Sequence, residues 1–357
     1  MPSTLLTTRL DAAEFRKRKV KLPDGCEDMC NRVRRVLIAV AFGAVCGLLS
    51  PGAATLAPAQ TTVRIGHFPN ITHVQALVAH NMSRQGKGWF EQRLGADVTV
   101  EWYVYNAGPS AVEAIFAKSI DVTYVGPNPA INAFVRSRGQ EIRIVAGAAN
   151  GGSALVVHKG SALRTPADFR GKKIATPQFG NTQDVAARAW LSAGGLKVTQ
   201  AGGDAQVLPT ANPDQLLLFK QKQIDAVWTV EPWVSRLEME ADGEVLVDDR
   251  EAITTVLVAR ADLLATRQSL VRKLTDAHRE LTEWIVKNPA EAERMAREEL
   301  DAEMRTNFSP ELIAKAWGRI VVTSDVTLES LKQFVASAQS VGFLRGAPDI
   351  SQLVANP

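Results

Sequence analysis

Two stretches, IDVTYVGPNPA (residues 120–130) and IDAVWTVEPWV (residues 224–234), repeat one design within a single chain. Each starts with Ile-Asp after a basic, helix-like segment, runs through alternating β-formers to an aromatic (Tyr124, Trp228), and ends in a proline-bearing turn. A unit of this kind cannot bury its apolar positions alone. A chain that builds it twice is constrained to two similar packed modules.

The sequence around each copy fits that constraint. TVRIGHF reads as a strand, and NITHVQALVAHNMSRQ places Val74, Leu77 and Val78 at helical spacing behind the cap-type residues Asn70 and Thr72. DVTVEWYVY alternates as a strand, GPSAVEAIFAKS reads as a helix and IDVTYVG as a strand. The order β-α-β-α-β predicts a parallel sheet covered by helices. From about Ser153 the order returns, through ALVVH, KKIATPQFGNTQDVAARAWLSAGG, AQVLPT, NPDQLLLFKQKQ and IDAVWTVEPW. With only two copies this is no short-period solenoid. The expected architecture is two α/β lobes facing each other across a cleft. Beyond AITTVLVAR the chain is helical, with a stripe at Leu270, Leu274, Leu281 and Ile285 that ends at Asn288-Pro289. Those C-terminal helices read as core packing without chemistry.

The first 59 residues form a separate compositional region. Arg32, Arg34 and Arg35 precede an apolar run from Val36 to Leu49, and Ala57-Pro58-Ala59 has the small-x-small pattern of a signal peptidase site. The run is short for a membrane span. It predicts export with cleavage before Gln60, and Met29 is an alternative start. Nine of the 41 Lys and Arg and five of the 38 Asp and Glu lie there, so residues 60–357 carry 32 basic and 33 acidic side chains. That balance gives no basic field for nucleic acid or anionic membrane. Cys26, Cys30 and Cys46 also fall in the leader, which leaves the exported part without a thiolate nucleophile or a cysteine metal site.

In open parallel sheets, ligands bind at the carboxyl ends of the strands, where loops lead into helices. Four repeated loops fall there, at residues 67–73, 125–130, 176–184 and 230–233, and none contains Lys or Arg. Asn70, Thr72, Asn128, Asn181, Thr182 and Gln183 offer neutral hydrogen bonds beside helix N-termini, which attract anions without a cationic side chain. Taken singly, each equally fits a helix cap or a turn former. His67 and His73 flank the first loop, but His80, His158 and His278 complete no metal-ligand spacing, so no metal is expected. His73 remains a hydrogen-bond donor to a ligand. Glu231 suits either an ammonium group or backbone donors away from the cleft, and Trp233 either an apolar wall or the core. Tyr103, Tyr105 and Asn106 are second-rank candidates for the rim. The chain has no G-x-S-x-G elbow, P-loop or G-x-G-x-x-G after a strand, so catalysis is unsupported.

As a set, GHFPNITHVQAL, YNAGPSAVEAIFAKSIDVTYVGPNPAINAF, ATPQFGNTQDVAARAWL and IDAVWTVEPW resemble the signature stretches of a known family, the substrate-binding proteins of ATP-driven importers for aliphatic sulfonates. That family has relatives for nitrate, taurine and bicarbonate, and the resemblance covers nearly all of residues 62–345. It implies a two-lobed periplasmic-binding-protein fold of the second type, each lobe a mainly parallel sheet flanked by helices. Residues 60–150 and 250–357 would form one lobe and residues 151–249 the other, with hinge crossings near 148–153 and 247–254. Carried over by position, the cleft contacts are Asn70, Thr72, His73, Gly126, Asn128, Asn181, Thr182, Gln183, Glu231 and Trp233. The resemblance further implies a periplasmic monomer without cofactor that delivers a small sulfonate-like anion to a membrane permease and its ATPase. Ligand identity does not carry over, and nitrate, bicarbonate, taurine and pyrimidine precursors stay open. So does a ligand sensor on the same fold, whereas the related pyrimidine-precursor synthases depend on a cysteine-rich iron motif absent from residues 60–357.

Overall fold

Asp121 and Asp225 each clamp a neighbouring strand in the computed structural model, which describes residues 60–199 and 202–357. Asp121 accepts a hydrogen bond from the Arg64 backbone N–H at 2.8 Å, and Asp225 accepts one from Lys173 at 2.9 Å. In return, the backbone N–H of each Asp donates to the carbonyl of the same partner. Ile120 and Ile224 are buried beside them. The repeated Ile-Asp is therefore a register device, locking the first strand of each module to its third. The leader, with its cleavage point, alternative start and three cysteines, lies outside the described residues.

The first module runs β1 (Thr61–His67), α1 (Val74–Arg84), α2 (Trp89–Leu94), β2 (Val98–Val104), α3 (Gly108–Phe116), β3 (Val122–Val125) and α4 (Pro127–Arg136). β4 (Ile142–Gly151) leads out of it into β5 (Ser153–His158). The second module is β6 (Lys173–Thr176), α5 (Thr182–Ala193), a hairpin of β7 (Val198–Thr199) and β8 (Gly202–Gly203), β9 (Gln206–Pro209), α6 (Asn212–Lys220) and β10 (Ala226–Val230). After α7 (Trp233–Glu240), β11 (Gly243–Asp248) and β12 (Ile253–Arg260) come α8 (Ala261–Thr266), α9 (Gln268–Lys287), α10 (Pro289–Met304), α11 (Pro310–Trp317), β13 (Ile320–Val322) and α12 (Leu328–Ser340). Among the described residues, no helix is long and apolar enough to cross a membrane.

A six-stranded sheet has the order β13-β4-β12-β3-β1-β2, and a five-stranded sheet the order β11-β5-β10-β6-β9. In both, the module strands lie third-first-second and pair in parallel, β3-β1-β2 in one and β10-β6-β9 in the other. The remaining pairs are antiparallel, so both sheets are mixed, yet four of the six strands in one and four of the five in the other run the same way, in keeping with the expectation of mainly parallel sheets. The reason is geometric. Every module strand runs toward the cleft, but a strand arriving from the other lobe begins at the cleft and must run away from it. β5 and β12 are those strands, and each is antiparallel to both of its neighbours.

Apolar side chains fill both faces of both sheets. On the first sheet, one face packs α1, α9 and α10 through residues such as Leu77, Leu281 and Leu300, and the other packs α3, α4 and α12 through Ile115, Ile131 and Leu331. On the second sheet, α5 covers one face with Leu191, while α6 and α7 cover the other with Phe219 and Val234. The chain passes between the sheets at residues 151–153 and again at 249–252. Gly151 and Gly152 both sit at φ +70°, a conformation open mainly to glycine, and a Cβ on Gly151 would come within 2.5 Å of the Arg319 carbonyl oxygen.

Candidate functional site

The carboxyl ends of the module strands carry their loops to a cavity of about 30 Å³ between the two sheets, room for little more than a water-sized group. The first lobe lines it with Asn70, Thr72, His73 and Gly126, and the second with Asn181, Thr182 and Gln183. Five helices begin here: His73 precedes α1, Gly108 opens α3, Gly126 precedes α4, Thr182 opens α5 and Asn212 opens α6. The first N–H groups of a helix lack intrahelical partners, and only α5 has a capping side chain among these five. Among the described residues that line it, none is Lys, Arg, Asp or Glu. The field at the cavity is that of converging helix N-termini, which favours negative charge.

The side chains add neutral donors. Thr72 Oγ1 and Thr182 Oγ1 are shut off from solvent and have no hydrogen-bond partner within the described protein. An unpaired buried hydroxyl costs on the order of 1–3 kcal/mol, so both are poised for a group that enters the cavity. Burial holds His73 well below the usual histidine range, with the charge of His67 adding to the shift, and its ring is therefore neutral at pH 7. Its Nδ1 accepts from the Phe68 N–H at 3.3 Å, which leaves the proton on Nε2. Asn181 caps α5, accepting from the Asp184 N–H at 2.8 Å and donating to Gln183 Oε1 at 3.1 Å, and Gln183 donates onward to Ser153 Oγ. Cap and cavity wall are the same residue here.

Three of the ten residues lie outside the lining. Asn128 donates to the Phe334 carbonyl at 3.1 Å and lines a second cavity of about 180 Å³, which shares Thr182, Gln183 and Thr254 with the first. Glu231 is fully buried away from the cavity, ion-paired to Arg319 at 2.8 Å and accepting from both the N–H and the hydroxyl of Ser235. Burial lifts its carboxyl above the usual range while Arg319 opposes that shift. Trp233 is buried too, and its Nε1 donates to Asn70 Oδ1 at 3.2 Å, orienting a lining residue without forming the wall. Of the second-rank candidates, Asn106 lines the cavity, while Tyr103 is exposed and bonded to Glu101.

Sequence reasoning passed over Asn212 and Thr254. Asn212 precedes a proline at a helix start, as Asn128 does in GPNPA, so its signal was readable. Thr254 stands on the strand that returns from the second lobe and had no local signal.

The lobes meet around this cavity. Trp233 to Asn70, Gln178 to Ser110 at 2.9 Å, and the Ile71 N–H to the Glu231 carbonyl at 2.9 Å all cross between them, and Arg319 reaches over to Glu231 and Glu238. The two lobes are in direct contact here.

A two-lobed fold with oppositely placed mixed sheets and a site at their junction is that of periplasmic binding proteins. The profile described as the NMT1-like family matches residues 56–298. The chain belongs to the NMT1-like family. This NMT1-like chain is 27% identical over 241 residues to a candidate binding protein of Brucella abortus (strain 2308), covering 64% of this chain and 69% of that one. It is 26% identical over 211 residues to the taurine-binding periplasmic protein of Escherichia coli (strain K12), covering 57% and 62%. In fold it resembles the alkanesulfonate-binding protein SsuA from Xanthomonas axonopodis pv. citri bound to MOPS, with a TM-score of 0.69 at 19% identity, over 84% of this chain and 100% of that one.

Proposed function

We propose that this protein is the extracytoplasmic solute-binding component of an ABC importer, one that captures a small oxyanion, with an aliphatic sulfonate as the best-supported ligand. The observation that carries this reading is the cavity itself. Five helix N-termini from both lobes converge on it, with two unpartnered buried hydroxyls and, among the described residues, no Lys, Arg, Asp or Glu. Such a site holds an anion by backbone N–H groups and neutral donors, and the absence of a countercharge keeps release easy. Because both lobes supply donors, the ligand is what makes closure favourable, and the closed shape is what a permease reads. Delivery in the periplasm after removal of residues 1–59, as a monomer and without cofactor or chemical step, completes the reading.

The first cavity fits only a compact head group. The second gives an organic tail somewhere to go, past the shared Thr182, Gln183 and Thr254 and against Val185, Trp228 and Phe334. That pairing favours a sulfonate. A second reading, nitrate or bicarbonate, draws support from the small volume of the first cavity and from Trp233 standing behind Asn70.

Thermal unfolding of the purified protein against taurine, alkanesulfonates, an arylalkyl sulfonate, nitrate, bicarbonate and an aminopyrimidine separates these. A ligand at a hundred times its Kd stabilises by about 2.7 kcal/mol. A Tm rise with sulfonates, abolished by Thr182→Val, is expected. A rise with nitrate or bicarbonate alone overturns the sulfonate assignment and keeps the oxyanion site, and a rise with none of them overturns both.

A further inference from the structure

Behind the first cleft loop lies a cluster whose residues do not line the cavity. It joins His67 at the end of β1, His80 on α1, and Glu299 and Glu303 one turn apart on α10. His67 Nε2 is 2.6 Å and His80 Nδ1 3.0 Å from the same oxygen, Oε1 of Glu303, while Glu299 Oε1 lies 2.8 Å from His80 Nδ1. One ligand atom each from His67, His80 and Glu303 lies within 4.8 Å of the others. The four side chains are 0%, 13%, 0% and 2% exposed in the order His67, His80, Glu299, Glu303. Trp102 stacks on His80 and stands edge-on to His67, which fixes both rings.

Packing alone does not account for this arrangement. Two carboxylates four residues apart on one helix face repel each other, and burying them adds a desolvation cost that only a nearby positive charge offsets. Arg84 supplies one such charge, reaching Glu299 alone at 2.8 Å from a half-exposed position, and His67 and His80 supply others to Glu303 and Glu299 when protonated. Glu299 Oε2 and Glu303 Oε2 remain buried without partners within the described protein, although each carboxylate is built to accept several bonds. Two imidazole nitrogens with one or two carboxylate oxygens form the donor set of zinc and its neighbours, whereas calcium and magnesium take oxygen ligands.

We propose that His67, His80 and Glu303, with Glu299 completing the set, bind one divalent transition-metal ion of the zinc type. The ion would tie β1 and α1 to α10. Metal–ligand bonds of about 2.0–2.1 Å set tetrahedral edges near 3.3 Å, so the ligand atoms must open by roughly half an ångström as the shared protons leave. His67 is followed by Phe68, whose N–H holds His73, so the ion anchors the foot of the cleft loop whatever the cavity binds. His67 and His80 alone carry no recognisable spacing, because Glu303 lies 223 residues beyond His80.

The test is calorimetric titration of the purified, chelator-stripped protein with ZnCl2, with thermal unfolding in parallel and CoCl2 as a spectroscopic substitute. The expected result is one ion per chain, a higher Tm with zinc, and a visible cobalt spectrum of a four-coordinate nitrogen and oxygen site. Glu303→Gln and the peripheral His80→Gln should each weaken binding at least tenfold while the variants keep the native circular dichroism spectrum. Absence of stoichiometric binding, or binding unchanged in both variants, overturns the site. Intense thiolate bands with cobalt would put the ion on the leader cysteines and overturn it as well.

Discussion

In the second lobe the loop ahead of α5 is braced by a buried ion pair, whereas in the first lobe the loop ahead of α1 is braced by rings. Arg188 grips Asp184 through two nitrogens at 3.1 Å each, and Asp184 in turn accepts from the Gly180 N–H at 2.9 Å and from Thr176 Oγ1. Both side chains are essentially unexposed. In the first lobe Phe68 packs on His73 with centroids 4.3 Å apart, and Tyr124 beneath is bonded to His278 at 3.0 Å, which bonds the Gly147 carbonyl at 2.8 Å. The two modules share the strand order and the Asp clamp on the backbone of the first strand. The side chains that stiffen each loop differ because each lobe packs different neighbours, C-terminal helices on one and the short hairpin beside α5 on the other.

The ion pair is the sharper place to break that comparison. Arg188→Met leaves Asp184 buried without its countercharge and should cost about 3–5 kcal/mol, read as a lowered urea midpoint. A loss below about 1 kcal/mol, the level of a surface pair, would mean that backbone contacts alone hold the loop. The ring brace should instead yield to acid. Burial lowers His278 from 6.5 to about 4, so its neutral ring is kept in the fold while the unfolded chain takes up a proton below pH 6.5. Its contribution is therefore present above pH 6.5 and is lost as pH falls toward 4, by roughly 3 kcal/mol. Thermal unfolding from pH 7 to 4 should show that slope, and His278→Gln should flatten it.

The smallest effect on stability should come from Gly126→Ala, which tests how the two lobes meet. Gly126 has φ −67°, open to any residue, but an added Cβ would come within 2.3 Å of Thr182 Oγ1 across the cavity. Overpacking of this kind costs about 1–3 kcal/mol. Here the cost falls on closure, so ligand affinity should drop by tenfold or more while the urea midpoint barely moves. An unchanged affinity would mean that the ligand is held with the lobes further apart.

Much of this was legible in the chain. Periodicity gave the two modules and the C-terminal helices, and seven of the ten carried-over residues meet at one cavity. Local chemistry was enough there, because loops at strand ends and helix caps follow from neighbours in sequence. Asn128, Glu231 and Trp233 resisted because their partners are Phe334, Arg319 and Asn70, far along the chain. A short polar motif does not say which way its side chain turns.

What the sequence determined by itself is the repeat: two β-α-β-α-β units, each with an Ile-Asp strand, and loops without cationic side chains at their carboxyl ends. What only the tertiary structure decided is everything that needs two distant segments at once. The mixed sheets arise because incoming strands start at the cleft, the cavity takes its walls from both lobes, and the His–Glu cluster joins residues brought together by α10 packing on α1. Periodic patterns are set by burial along one element, while contacts between elements depend on how whole faces pack, which no local stretch encodes.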